Sequence, residues 1–591
     1  MATTQQRIQH ALPWRPPFWP FRITQSIGAA LRWIARIWGT VATLVFSAMA
    51  LRGGIPEPLD TGTWEIQAQI ASLGVVALGG ILSWRWQAFG ASMITLGAIV
   101  MGVLAAVEHT PLQALLVTLV FFLPAFLLWL DWQCAQPVLV IAALAFTMAI
   151  ILGAAGYQAN QIYQDYRGPT HPESSVAAIP VSLVEWIWSG GLAPDAITVK
   201  AGLARDSNAV HLLVSQTEDL SRPVVVGPFI ANLEMNLRYV AFPVQGLEPD
   251  TTYFYAVEAD GEVDRSRLGT FHTPVEGPYS FTFGVSGCAA TGSNGSVFDT
   301  IREHNPLFFM SNGDLFYENI SVNDRDRFRE AYTSILTTPA QSALYRNTPI
   351  VHVWDDHDFG PNDSDRTSPS RDASQFVNRE MVPAHPMAIP GDTGPIYRAF
   401  SIGRVRFIVT DDRSEKSPLT DPDNASKTML GDAQKAWFKQ QLLDANGKYP
   451  VIIWVQSVPW IAEAAIGGDT WGGYATERQE IADFIADNEI AGLLMLAGDA
   501  HMLAIDDGSN SDYSTSGGAA FPIMQAAALD RPGSTKGGPF SEGMYPGGGQ
   551  FGLVSIADEG GSSITITLEG RNYLDEVIVD YSYTVEPEPP D

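Results

Sequence analysis

The chain runs to 591 residues, enough for about three or four domains. It carries 64 acidic against 35 basic residues, a net charge of −29, yet its mean hydropathy is +0.05. That balance excludes one uniform globule and nonspecific nucleic-acid binding through a basic patch, and the two cysteines, Cys134 and Cys288, exclude a disulfide framework. The asymmetry begins at the N-terminus: residues 1–170 hold eight arginines, no lysine and six acids. Five apolar stretches follow one another there: Ile27–Leu51, Ile66–Trp84, Ala88–Val107, Leu112–Leu130 and Pro137–Tyr157. Each approaches the roughly 20 residues a membrane span needs. The reading is a cytoplasmic tail over 1–26 and a transmembrane α-helical bundle of about five helices over 27–157.

Arginines at 7, 15, 22, 32, 36 and 85 gather on one side of these stretches, and Glu57, Asp60, Glu65 and Glu108 on the other. The positive-inside rule then puts the N-terminus in the cytoplasm. The acidic remainder is expected outside, at a bacterial inner membrane and facing the periplasm. Ala48-Met49-Ala50 resembles a signal-peptidase site, so cleavage of the first stretch stays open.

A polar, proline-bearing linker is expected over 158–175, then a β-sandwich over 176–275. Ile197–Ala201, Val210–Val214 and Tyr239–Phe242 are β-rich runs separated by turn residues. Leu247–Tyr255 resembles a fibronectin-type edge with a tyrosine corner.

From 279 to 585 the pattern changes to strand-like runs alternating with helical ones, and 586–591 reads as a loose tail. Ser280–Val285 leads into Gly287-Cys288, and Leu307–Met310 into Asn312-Gly313-Asp314 and Tyr317. Ile350–Trp354 leads into Asp355-Asp356-His357-Asp358, and Val405–Thr410 into Asp411-Asp412-Arg413. Val451–Val455 leads into Gln456-Ser457, and Gly492–Leu496 into Gly498-Asp499-Ala500-His501. In α/β sheets a ligand site lies outside the carboxyl ends of the strands. One aspartate after a strand is commonly a turn or cap residue; repeated clusters at the same place in successive strands are not. Cys288, Asp314, Tyr317, Asp355, Asp356, His357, Asp499 and His501 are therefore expected to converge. Carboxylates suit hard cations, and thiolate, phenolate and imidazole suit a stronger Lewis acid. The mixture points to two unlike metals that clamp a phosphoryl group.

Gly287-Cys288, Gly313-Asp314 with Tyr317-Glu318, Trp354-Asp355-Asp356-His357-Asp358, Leu430-Gly431 with Gln434 and Trp437, and Gly498-Asp499 with His501 together resemble the PhoD-like alkaline phosphatases and phosphodiesterases, which are calcineurin-like metallophosphoesterases. The resemblance covers about 176–585. It implies an α+β multidomain chain in which the sandwich precedes an α/β/β/α catalytic domain. It implies Fe(III) held by Cys288, Asp314, Tyr317, Asp499 and His501. Asp314 would bridge to a second ion, Ca(II), with Asp355 or Asp356. His357 takes the place of the family's catalytic histidine. Mn, Zn and Mg stay open as alternative metals. Ser286-Gly287-Cys288 stands where Gly-Ser-Cys is usual, and Val409-Thr410-Asp411-Asp412-Arg413 where Leu-Asp-Thr-Arg is usual. Arg413 is thus either a substrate-binding residue or a structural ion pair.

The expected function is a membrane-anchored, extracytoplasmic phosphoesterase that hydrolyses phosphate mono- or diesters with a metal-bound hydroxide. Phospholipid and cell-envelope phosphodiesters are candidate substrates, and homo-oligomerisation is open. The alternative is an inactive phosphoesterase fold that serves binding or assembly.

Overall fold

The computed structural model describes residues 30–41, 64–108, 111–133, 172–232, 238–526 and 528–586. The chain divides into two compact units, Met1–Gly168 and Pro169–Asp591.

In the first unit, helices cover 30–41, Trp64–Leu82, Gln87–Glu108 and Pro111–Gln133. Glycines let them approach closely: a Cβ on Gly90 would lie 2.5 Å from the carbonyl oxygen of Gly79. Ala35, Val76, Ala91, Ile94, Phe121 and Leu128 form the shared core. Arg32 pairs with Asp131 at 2.7 Å, and Gln87 donates to the same carboxylate at 2.8 Å.

The expected transmembrane bundle is corrected here: among the described residues, no helix is long and apolar enough to cross a membrane. The described helices fall close to the apolar stretches read from the sequence. Only 30–41 of the first stretch is described as helix, Arg85 and Trp86 separate the next two helices, and Asp131 and Gln133 belong to the last helix, which also contains Pro124. The tail over 1–26, the fifth stretch Pro137–Tyr157, Cys134, nearly all of the linker over 158–175 and residues 587–591 lie outside the described residues.

In the second unit two large sheets pack face to face. The nine-stranded sheet has at its centre three parallel strands, Phe281–Ser286, Phe309–Ser311 and Ile350–His352. The antiparallel strands Gln550–Ala557, Ile564–Asn572 and Val577–Val585 extend it on one side. The seven-stranded sheet has four parallel strands, Val405–Val409, Val451–Val455, Leu493–Ala497 and Ile523–Ala526. Alternate residues of both sheets, among them Phe283, Phe308, Phe407, Val455, Leu496 and Val554, form the core between them. Residues on the outer faces pack under helices: Arg325–Thr337, Pro339–Asn347 and Arg371–Met381 on one side, Asp432–Ala445 and Ala475–Asp487 on the other. The layers are therefore helix, sheet, sheet, helix.

The β-rich segment before Tyr279 is joined to this body. Its strands Val184–Gly190, Ala196–Leu203 and Tyr239–Gln245 continue the nine-stranded sheet, with Gly190 beside Ile350. Ser207–Ser215, Val224–Ala231, Thr252–Ala259 and Gly269–His272 pair in a separate sheet. Inside that segment the Tyr253 hydroxyl accepts from the Glu248 amide at 2.9 Å, closing the corner that precedes the strand.

Candidate metal centre

The site follows from strand register. Ser311 lies opposite both Ser286 and His352, so the three central strands of the larger sheet end level. Val409 opposes Val455, and Val455 opposes Leu496, so three strands of the smaller sheet also end level. The two sets of ends meet: Asn312 donates to the Ala497 carbonyl at 3.0 Å, and Ser457 Oγ to Asp355 Oδ1 at 2.9 Å. Beyond these ends the backbone turns through left-handed conformations at Cys288 (φ 61°), Asp314 (55°), Asp499 (66°) and His501 (49°). Non-glycine residues seldom adopt these, and such strain gathers at functional sites.

Three groups of ligand-type atoms result: Cys288 with Asp314 and His501; Asp314 with Asp356 and His357; and Asp356 with Asp363 and Asp469. Asp314 is common to the first two. The Cys288 thiol donates to Asp314 Oδ2 at 3.6 Å, and the Tyr317 hydroxyl lies 3.0 Å from His501 Nε2. Asp314 Oδ1 accepts from the His357 amide at 3.2 Å, and the His357 ring sits 4.1 Å from that of Tyr317. Asp358 holds the frame: its carboxylate accepts from the amides of Asp314 (2.6 Å), Leu315 (2.9 Å) and Asp355 (3.1 Å).

The electrostatics call for a cation. Burial, followed by repulsion from Asp314, pushes the Cys288 thiol up, and the same two causes push the Tyr317 phenol up. Burial and Asp356 push Asp314 up to about 8. Burial also raises Asp499. For Asp356 burial is outweighed by His357, Arg413 and Lys536, which hold it below the usual carboxylate range. Burial pushes His357 down to about 4 and holds His501 well below the usual imidazole range, which favours the neutral ring at both. Asp356 Oδ1, Asp499 Oδ2 and His357 Nδ1 are buried with no hydrogen-bond partner. Buried lone pairs without donors are costly. The mixed thiol, phenol, carboxylate and imidazole set fits metal ions at this place.

The structure thus brings together Cys288, Asp314, Tyr317, Asp356, His357 and His501. Asp499 stands beside them, its Oδ1 2.5 Å from Lys536 Nζ. Asp355 and Arg413 face each other instead. Arg413 Nε donates to Asp355 Oδ1 at 2.6 Å, and its two terminal nitrogens donate to Asp469 at 3.1 and 2.9 Å. Lys416 also pairs with Asp469. Arg413 has no exposed surface, which favours the structural ion pair of the two readings, while Asp355 keeps its other oxygen, Oδ2, buried without a hydrogen-bond partner. Of the open choice between Asp355 and Asp356, the clustering favours Asp356. Sequence reasoning missed Asp363, Asp469, Arg531 and Lys536, none of which follows a strand directly. The only signal was for Asp363, seven residues after Asp356 in the same loop.

Residues 283–535 match the family described as PhoD-like phosphatase, and residues 23–154 match one described as Domain of unknown function (DUF7670). Alkaline phosphatase D of Bacillus subtilis (strain 168) is 24% identical over 361 residues, which span 53% of this chain and 59% of that protein. The solved structure of PhoD superposes with a TM-score of 0.55 at 16% identity, covering 71% of this chain and 92% of that one. These matches meet the resemblance drawn from the motifs.

Proposed function

We propose that this chain, whose residues 283–535 match the PhoD-like phosphatase family, is a metal-dependent phosphoesterase that hydrolyses phosphate esters. One observation carries the reading: two ligand groups that share Asp314 stand at the meeting strand ends of two sheets, with buried lone pairs left unpartnered. Cys288, Asp314, Tyr317 and His501, with Asp499 Oδ2 beside them, would hold one ion, and iron suits the thiol–phenol pair. Asp314, Asp356 and His357 border the second place, where calcium suits the carboxylates, with Mn, Zn and Mg as alternatives. When bound, the ions supply Lewis-acid polarisation of the phosphoryl oxygens and lower the pKa of an attacking water.

The chain's own residues do the rest. Asp358 fixes the turn that presents Asp314 and Asp355. Tyr317 packs against the His357 ring and limits its rotation. Burial holds His357 neutral; an entering phosphate dianion raises its proton affinity. It then carries a proton at Nε2, the ring nitrogen 3.7 Å from Asp356 Oδ1, and passes it to the departing alkoxide.

The test is turnover of 4-nitrophenyl phosphate and bis(4-nitrophenyl) phosphate by the full chain, with and without chelator, beside elemental analysis. Turnover that chelation abolishes and added ions restore is expected, together with iron and a visible phenolate or thiolate charge-transfer band. Failure to hydrolyse either ester with any of these metals sinks the reading. Active, colourless, iron-free protein would remove only the iron assignment.

A further inference from the structure

The loop between the strands Ile523–Ala526 and Met544–Pro546 carries two cations to the site, Arg531 and Lys536. The loop is pinned to the Cys288 turn. The Leu529 amide donates to the Gly287 carbonyl at 2.9 Å, the Ala290 amide to the Asp530 carbonyl at 3.2 Å, and the Gly295 amide to Asp530 Oδ2 at 3.2 Å. Lys536 is spent on Asp499. Arg531 is not spent: among the described residues no carboxylate pairs with it, and its Nε is buried without a hydrogen-bond partner. Its guanidinium carbon lies 3.5 Å from the centroid of the Tyr317 ring. Stacking uses the face of a guanidinium and leaves its in-plane N–H groups free to donate to a phosphate oxygen.

Tyr317 adjoins His501 on one side and His357 on the other, so Arg531 stands beside both ligand groups. The acidic donors of the two groups offset the ions they would hold. A second negative charge on a substrate therefore needs a cation outside them. A phosphomonoester carries that second charge above roughly pH 6 and has three non-bridging oxygens; a diester has one charge and two such oxygens. With two oxygens turned to the ligand groups, the third exists only in the monoester.

We propose that Arg531 is a substrate-selecting residue: its free N–H groups grip the third non-bridging oxygen of a phosphomonoester dianion and bias the site toward monoesters over diesters. This rests on the phosphoesterase reading above. The experiment measures kcat/KM of the metal-loaded full chain on 4-nitrophenyl phosphate and bis(4-nitrophenyl) phosphate, and binding of inorganic phosphate by calorimetry. Arg531→Gln is expected to lower the monoester value about 100-fold and the diester value about fivefold, and to weaken phosphate binding at least about tenfold. Arg531→Lys, which keeps the charge and loses the planar N–H groups, should recover about a tenth of the monoester value. Equal losses on both esters, as a merely structural role would give, overturn the proposal, and so does an undiminished monoester value. If the wild type turns over neither ester, the phosphoesterase reading fails; phosphate affinity then still judges Arg531, and an unchanged affinity in Arg531→Gln overturns its role.

Discussion

His357 shows what one residue position decides. Its amide donates to Asp314, its ring stacks on Tyr317, and its Nε2 faces Asp356, so it touches both ligand groups without an ion pair shorter than 3.7 Å. As the proton donor it should be separable from metal binding. His357→Ala is expected to cut turnover by about 10²–10⁴ while the metal content by elemental analysis stays at the wild-type level. A loss of only a few-fold would remove the proton-transfer role, and a loss of metal would make His357 a ligand. The sequence alone displayed the residue types and their place after strands, and for Cys288, Asp314, Tyr317, Asp356 and His501 that was enough to foresee the gathering. It could not separate Asp355 from Asp356, which are adjacent and alike. That difference is made by Arg413 and by Asp469, which arrives from a loop 56 residues further on. Arg413 follows a strand as the ligands do, and its buried charge is answered by Asp355 together with that distant partner.

At the scale of elements, the site is made by strands that stop level and then turn left-handed. Gly313 occupies one of these turns, with φ of 102° and with space for no side chain: a Cβ would lie 2.5 Å from Asp355 Cβ and 2.8 Å from its amide nitrogen. Gly277 also has positive φ, 78°, yet nothing lies within 4 Å of where its Cβ would be. The pair separates backbone strain from collision. Gly277→Ala should cost about 1 kcal/mol in a denaturant titration, and Gly313→Ala about 3 kcal/mol or more, with weakened metal binding because Asp314 and Asp355 shift. Equal costs would mean that the Asp355 approach is not tight. The strands that carry the site were readable as short apolar runs ending in polar residues, because a parallel strand buried on both faces leaves that trace. The join of Val184–Gly190 to the central sheet was not readable: strand pairing across a crossover leaves no local mark, and only one residue pair, Gly190 with Ile350, makes the contact. The N-terminal helices lie close to where the apolar runs placed them; what the structure did not bear out, among the described residues, is their length and apolarity as membrane spans.

At the scale of the whole molecule, a chain of net charge −29 gathers Asp314, Asp356, Asp363 and Asp469 in adjoining ligand groups with Asp499 within reach of their charge, and its stability should therefore be linked to metal and pH together. Without metal, burial and Asp356 push Asp314 from 3.8 up to about 8, and burial and Asp469 push Asp363 up to about 6. The folded state then holds protons that the unfolded chain has released. The contribution of these two groups is fully present below about pH 4 and is lost as pH rises through about 6 and then about 8. Asp356 and Asp469 are held below the usual range, so their contribution is present above about pH 4 and constant across that window. Metal ions reverse the trend, because they bind the deprotonated carboxylates, thiolate and phenolate, and bind them more tightly as protons leave. Metal-free protein should thus show a Tm that falls between pH 5 and about 8.5, while metal-loaded protein stays level or rises. The gap between them should widen by about 5 °C or more over that range, as scanning calorimetry of the chelated and loaded forms would show. A gap that is constant or narrows with rising pH would mean that the buried carboxylates are not what the metals neutralise, and the centre would then have to be sought among other residues.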